Sequence, residues 1–70
     1  MSSLALKASV LIAIDGRAGE WLSVDQIARR LGVACERVRA ICVELAAQAQ
    51  VQQAMVNGQA VYGIGMGTAT

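Results

Sequence analysis

Apolar residues spaced three and four apart predict three short helices along this chain. The first, over residues 4–14, is apolar almost all round, which is typical of a helix buried on two sides. We expect one side to face the core of the domain and the other to contact a second copy of the chain. Gly16 and Gly19 are expected to end this helix.

The second and third helices form a pair with a tight connection. Ser23-x-x-Gln26 has the pattern of a capping box that opens the second helix, and Gly32 supplies a left-handed stop. The third helix is predicted over about residues 35–49, with an inward stripe at Val38, Ile41, Cys42 and Leu45. Two short helices joined by a three- to four-residue turn containing glycine are typical of a helix-turn-helix.

A β-hairpin is predicted after the third helix. Asn57-Gly58 favours a two-residue type I′ turn, because both residues adopt positive φ at low cost. The turn sets a register that pairs Val56 with Gln59, Met55 with Ala60, Gln53 with Tyr62 and Val51 with Ile64. Val51, Met55, Tyr62 and Ile64 then share the face that we expect to cover the helices, with residues 20–22 as a further short strand.

Length and composition favour one small domain over residues 1–64, with a flexible tail at 65–70. The fold class expected is mainly α (α+β): three helices, a small β-sheet and a C-terminal hairpin. With 56% hydrophobic residues in 70, some apolar side chains must stay exposed or meet a partner, so a homodimer or a larger protein partner is expected. No segment approaches the length of a membrane span, and the short apolar run at 8–14 is not expected to be a signal peptide.

The residue types exclude several classes of chemistry. The chain has no histidine, no Cys-x-x-Cys and no glycine-rich phosphate loop, so neither a metal, a cofactor, a small-molecule ligand nor an enzymatic activity is expected. Cys35 and Cys42 are about 10 Å apart on one helix, beyond disulfide reach, which favours a reducing cytoplasm. Two interpretations of Cys35 stay open: a redox-sensing thiol whose pKa the helix N-terminus lowers, or an inert small residue.

The charge is small but unevenly distributed. Six basic and five acidic residues give a net charge of +1, which is lower than most nucleic-acid binders carry. Four of the six basic residues nevertheless lie within eleven positions: Arg29, Arg30, Arg37 and Arg39.

The stretch from Leu22 to Leu45 resembles bacterial winged helix-turn-helix transcriptional regulators. Ile27-Ala28, Leu31-Gly32-Val33, Val38, Ile41, Leu45 and Val51 fall in register with that family's pattern, and Gly58-x-x-x-Tyr62-x-Ile64 is similar to the wing of small stand-alone regulators, including those of fimbrial operons. The resemblance implies a winged-helix fold and sequence-specific binding of double-stranded DNA, with the third helix in the major groove.

The resemblance also implies a set of DNA-contacting residues. Arg37 and Arg39 are the main candidates, because arginine pairs with guanine or holds a phosphate, and Ala40 and Val43 suit a thymine methyl group. The full set expected is Arg30, Cys35, Glu36, Arg37, Arg39, Ala40, Val43, Asn57 and Gln59. The alternative for Arg37 and Arg39 is that they are ordinary solvated helix residues.

Three departures from the family pattern keep a second function open. Ala34 and Cys35 stand where the family often has Ser or Thr to cap the helix and touch phosphate. The wing tip has no lysine or arginine, and the outer face of the third helix is largely aliphatic. A winged-helix protein-interaction module or accessory subunit is the alternative. Small accessory proteins of ferrous-iron transport resemble this size and layout, but their wing cysteine cluster is absent here.

Overall fold

Three helices and three strands make up residues 3–65, the part of the chain that this computed structural model describes. Their order is α1 (Ser3–Asp15), β1 (Leu22–Ser23), α2 (Val24–Leu31), α3 (Cys35–Ala47), β2 (Gln52–Val56) and β3 (Gln59–Gly63). The tail predicted at 65–70 lies outside the described residues from position 66 onward.

The predicted boundaries of α2 are confirmed. The Ser23 hydroxyl accepts a hydrogen bond from the Gln26 backbone N–H at 3.2 Å, and the Gln26 side chain accepts one from the Ser23 N–H at 2.8 Å. Gly32 ends the helix with φ 68°, a conformation that glycine adopts without a Cβ penalty. These local contacts fix the position of α2 and therefore the turn into α3.

Helix α3 begins at Cys35 as predicted, but it ends at Ala47 rather than near residue 49. Ala49 has φ 58°, and the Gln50 backbone N–H donates to the Leu45 carbonyl at 2.8 Å. The chain turns back here so that Val51, which is buried, can reach the core. The alanines at 46, 47 and 49 have high helix propensity, which is why the sequence predicted a longer helix.

The sheet is antiparallel with strand order β1-β3-β2. Asn57 (φ 51°) and Gly58 (φ 78°) form the predicted turn, and the pairs Val56–Gln59, Met55–Ala60 and Gln53–Tyr62 are confirmed. The predicted Val51–Ile64 pair lies beyond both strands. The expected strand at 20–22 is instead Leu22–Ser23, which pairs with Tyr62 and Val61.

One apolar core lies between the helices and one face of the sheet. Its most buried members are Val10, Ile14, Ile27, Val38, Cys42, Leu45 and Tyr62. Met55 was expected to cover the helices but is 63% exposed, because it lies next to the hairpin tip, past the helices. Trp21, directly before β1, is also partly exposed, at 38%.

These elements form an α+β arrangement that is compatible with a winged-helix domain. Within residues 3–65, no helix has the length and apolar character needed to cross a membrane.

Candidate nucleic-acid interface

The outer face of α3 is open to solvent. Val38, Ile41 and Leu45 are buried on one side of the helix, and at about 100° per residue Glu36, Ala40 and Val43 lie on the opposite side. All of the candidate α3 residues after Cys35 are exposed: Glu36, Arg37, Arg39, Ala40 and Val43. This face is therefore accessible along its whole length.

Arg37 and Arg39 flank the outer face rather than sharing it. Two residues of α-helix turn by about 200°, so the two side chains leave the helix about 160° apart. Arg37 projects within about 40° of Glu44, which accepts a hydrogen bond from Lys7 of α1 at 2.8 Å. Arg37 thus lies on the α1 side of α3, and Arg39 lies on the side of the hairpin.

The four clustered arginines differ from the other two cations. Lys7 and Arg17 form ion pairs with Glu44 and Glu20, at 2.8 and 2.9 Å. Between residues 3 and 65, the side chains of the other four make no hydrogen bond or ion pair: Arg29, Arg30, Arg37 and Arg39. The cationic groups that are available to an external anion are therefore concentrated on α2 and α3.

A cleft of about 290 Å³ separates α3 from the hairpin. Arg39 and Val43 line it from α3, Gln53 and Gln59 from the hairpin, and Asp25 from the first turn of α2. Of these, Gln59 was expected at the interface from the sequence and Gln53 was not. The predicted hairpin register could have identified Gln53, because it pairs Gln53 with Tyr62 on the face of the sheet that meets the helices.

Asn57 and Arg30 lie apart from the cleft. Asn57 is exposed in the turn at the hairpin tip. Arg30 is in the last turn of α2, where a cation complements the helix dipole, and it lines a separate pocket of about 230 Å³ with Arg17 and Arg29. The predicted site residues therefore fall into a central group on α3 with Gln59, and two outlying positions.

The thiol of Cys35 is directed toward α2. It donates a hydrogen bond to Asp25 Oδ1 at 3.1 Å. This hydrogen bond, with desolvation and the charge of Asp25, raises the pKa of Cys35 above its ordinary value of 9.0, although Arg39 and Arg29 act in the opposite direction. Of the two interpretations left open for Cys35, the thiol whose pKa the helix N-terminus lowers disagrees with this shift, because the neighbouring carboxylate disfavours the thiolate.

The hairpin side of the interface carries no charge. No charged side chain follows Glu44 in the sequence, so the wing residues offer only amide and apolar groups. Met55 and Val56 at its tip are 63% and 47% exposed. One wall of the cleft can thus attract phosphate, whereas the other can only donate neutral hydrogen bonds or pack.

Comparisons with protein-family models, curated proteins and solved structures find no match to this chain.

Proposed function

We propose that this chain is a winged helix-turn-helix domain that binds double-stranded DNA in a sequence-specific manner and acts as a transcriptional regulator. The observation that carries the proposal is the set of four exposed arginines on α2 and α3 that make no ion pair within residues 3–65, two of which, Arg37 and Arg39, flank the open outer face of α3. A regulator of this kind acts in the cytoplasm, where the free thiols Cys35 and Cys42 stay reduced.

In the proposed complex the outer face of α3 enters the major groove. Ala40 is small enough for close approach to the base edges, and Val43 suits a thymine methyl group. Arg39, on the cleft side, is placed to pair with guanine O6 and N7, while Arg37 on the opposite flank suits a backbone phosphate. We assign the two arginines different contacts because their side chains leave the helix roughly 160° apart.

The wing contributes hydrogen bonds but no charge. Gln53 and Gln59 in the cleft, and Asn57 at the hairpin tip, can donate amide N–H groups to phosphate oxygens or base edges. Since only the four arginines neutralise phosphates, at most about four counterions are released per domain. The logarithm of the binding constant should then fall with the logarithm of salt concentration with a slope of about −3 to −4.

The test compares two charge-matched variants. Arg39→Gln and Lys7→Gln each remove one positive charge, but only Arg39 lies on the proposed interface. Lys7 is on α1, where it forms an ion pair with Glu44 of α3. We expect Arg39→Gln to weaken binding to duplex DNA about tenfold or more and to reduce the salt slope by about one, whereas Lys7→Gln retains the parental slope. Fluorescence anisotropy with random and selected duplexes at low and moderate salt measures both quantities.

Equal losses in the two variants would indicate only a general charge effect and would refute the assigned face. Arg37→Gln is expected to weaken random and selected duplexes alike, because a phosphate contact carries no sequence information.

The second candidate is a protein-interaction module, and one observation favours it. Val43, Met55 and Val56 are all about half exposed or more, on α3 and a hairpin that has no charge. Large exposed apolar side chains of this kind are typical of protein contacts. Absence of DNA binding even at low salt would reject the regulator and favour this module.

A further inference from the structure

Helix α1 has a second apolar face that the domain does not bury. Val10 and Ile14 are fully buried in the core, whereas Leu4 and Ile12 are 71% and 70% exposed. At about 100° per residue, Leu4 and Ile12 project about 40° to either side of Ala8, in the direction opposite to the core. We call the row Leu4, Ala8, Leu11, Ile12 and Asp15 the outer row of α1.

We propose that this outer row is a homodimer interface, in which α1 packs antiparallel against α1 of a second copy across a two-fold axis at Ala8. The inference goes beyond DNA binding and does not depend on it. Its first support is the spacing of the row. Leu4 and Ile12 stand four residues before and after Ala8, so rotation about that axis places each leucine against the partner's isoleucine.

The second support is the distribution of charge. A two-fold interface brings identical groups together, so charges near the axis would repel, and residues 4–12 of the row are all uncharged. Lys7, the one charged residue between positions 4 and 12, forms an ion pair with Glu44, with 2.8 Å between Nζ and Oε2. Asp15 stands at the C-terminal end of its own helix, where a negative charge is unfavourable. The antiparallel arrangement places it near the positive N-terminal end of the partner helix.

The third support is the shape of the surface beside the outer row. Two apolar grooves border the outer row: one of about 310 Å³ between Leu4, Leu11 and Leu45, and one of about 320 Å³ between Leu11, Ile12 and Ile64. In the antiparallel arrangement the Leu4 side chain of one copy lies beside the second groove of the other, because the two-fold axis exchanges positions 4 and 12 and keeps Leu4 and Leu11 on the same side of the contact. The exposed Leu4 side chain therefore has an apolar recess to enter.

The area needed is modest. A standard interface removes about 800 Å² from each partner, which is under a fifth of the 4389 Å² exposed by this domain. A 13-residue helix face with its bordering grooves supplies an interface at or below that size. Small interfaces are typical of weak, reversible association, so we expect the dimer to dissociate on dilution.

Sedimentation equilibrium without DNA tests the proposal. The parent is expected to change from 7.3 kDa to twice that mass as its concentration rises through tens of micromolar. Ile12→Glu is expected to reduce the association constant at least about 100-fold, because the symmetry places two carboxylates, one from each copy, in the same apolar contact. Ile12 is 70% exposed, so circular dichroism should show an unchanged fold.

Val43→Glu is the matched control, since it places the same charge at an exposed apolar position on α3. It is expected to leave the dimer intact. A parent that stays at 7.3 kDa would overturn the proposal, and so would a dimer that survives Ile12→Glu or is lost in Val43→Glu.

Crosslinking tests the position of the axis. In a Cys35→Ser background, the Ala8→Cys variant is expected to form a disulfide-linked dimer under mild oxidation, because the two positions face each other across the axis. The exposed Ala40 on α3 provides the control, and Ala40→Cys is expected to stay monomeric on a non-reducing gel. Equal crosslinking at both positions would reject the two-fold axis at Ala8.

Discussion

Ala49 has the least favourable backbone conformation among the described residues other than glycine and asparagine. Its φ of 58° lies in the left-handed region, and the Gln50 N–H bonds to the Leu45 carbonyl at 2.8 Å just after α3 ends. This arrangement resembles the helix stop at which glycine is common, since a Cβ costs about 1 kcal/mol there. The unfavourable conformation at Ala49 turns the chain so that Val51 enters the core.

Replacing Ala49 with glycine should therefore stabilise the domain. We expect Ala49→Gly to raise the free energy of unfolding by up to about 1 kcal/mol, less the greater freedom of glycine in the unfolded chain. Urea unfolding followed by circular dichroism measures the change. Ala47→Gly, inside the last turn of α3, is the control and should destabilise by about 0.5–1 kcal/mol. If both variants were destabilised alike, the left-handed stop would not be a source of strain.

Helices α2 and α3 differ in how they begin. Ser23 caps α2 through its hydroxyl, whereas Ala34 at the start of α3 has extended backbone angles (φ −61°, ψ 140°) but no side-chain hydrogen bond. The missing cap leaves backbone N–H groups of the first turn without a side-chain acceptor. The proposed recognition helix is thus less firmly fixed at its N-terminus than α2 is.

A serine at position 34 should supply the missing acceptor. The backbone geometry is already that of a cap, so Ala34→Ser is expected to raise the free energy of unfolding by about 1 kcal/mol, with its hydroxyl accepting from the Glu36 N–H, since the Arg37 N–H already donates to the Ala34 carbonyl at 3.1 Å. Ser23→Ala should lower it by a similar amount. Chemical denaturation of the three proteins measures both changes, and an Ala34→Ser variant no more stable than the parent would contradict this expectation.

Elements with local signals were predicted from the sequence, whereas features set by tertiary packing were not. The capping box at Ser23, the stop at Gly32 and the Asn57-Gly58 turn determine α2 and the hairpin register through contacts within a few residues. The exposure of Met55 depends instead on where the helices end beneath the sheet. The hydrogen bond between Cys35 and Asp25 spans ten residues, so no local pattern revealed it.

The candidate site was predicted in part for the same reason. Helical periodicity identifies the exposed face of α3, which depends only on spacing. The position of Gln53 in the cleft and the separation of Arg30 from it depend on how the hairpin and α2 pack against α3. Those relations involve contacts between elements, which periodicity does not encode.

The stability of the whole molecule should fall in alkaline solution. Burial raises the pKa of Cys42 from 9.0 to about 11, and Cys35 and Tyr62 are shifted in the same direction. The folded state holds these protons more tightly than the unfolded chain does, so the contribution of these groups to stability is constant below pH 9 and declines between pH 9 and 11. Cys42 contributes a loss on the order of 2–3 kcal/mol.

Unfolding by urea at a series of pH values from 7 to 11, in the presence of reductant, measures this decline. Cys42→Ala should be less stable at pH 7, because it leaves a cavity, but its decline above pH 9 should be shallower. The same slope in both proteins would show that the buried thiol is not responsible. The residual slope of the variant reports on Cys35 and Tyr62.

The last strand among residues 3–65 is also the middle strand of the sheet. β3 pairs with both β1 and β2, which do not pair with each other. A nascent chain on the ribosome therefore cannot complete its sheet until residue 63 has left the exit tunnel. A protein shortened before residue 59 would leave β1 and β2 without their partner strand and open to pairing with other chains.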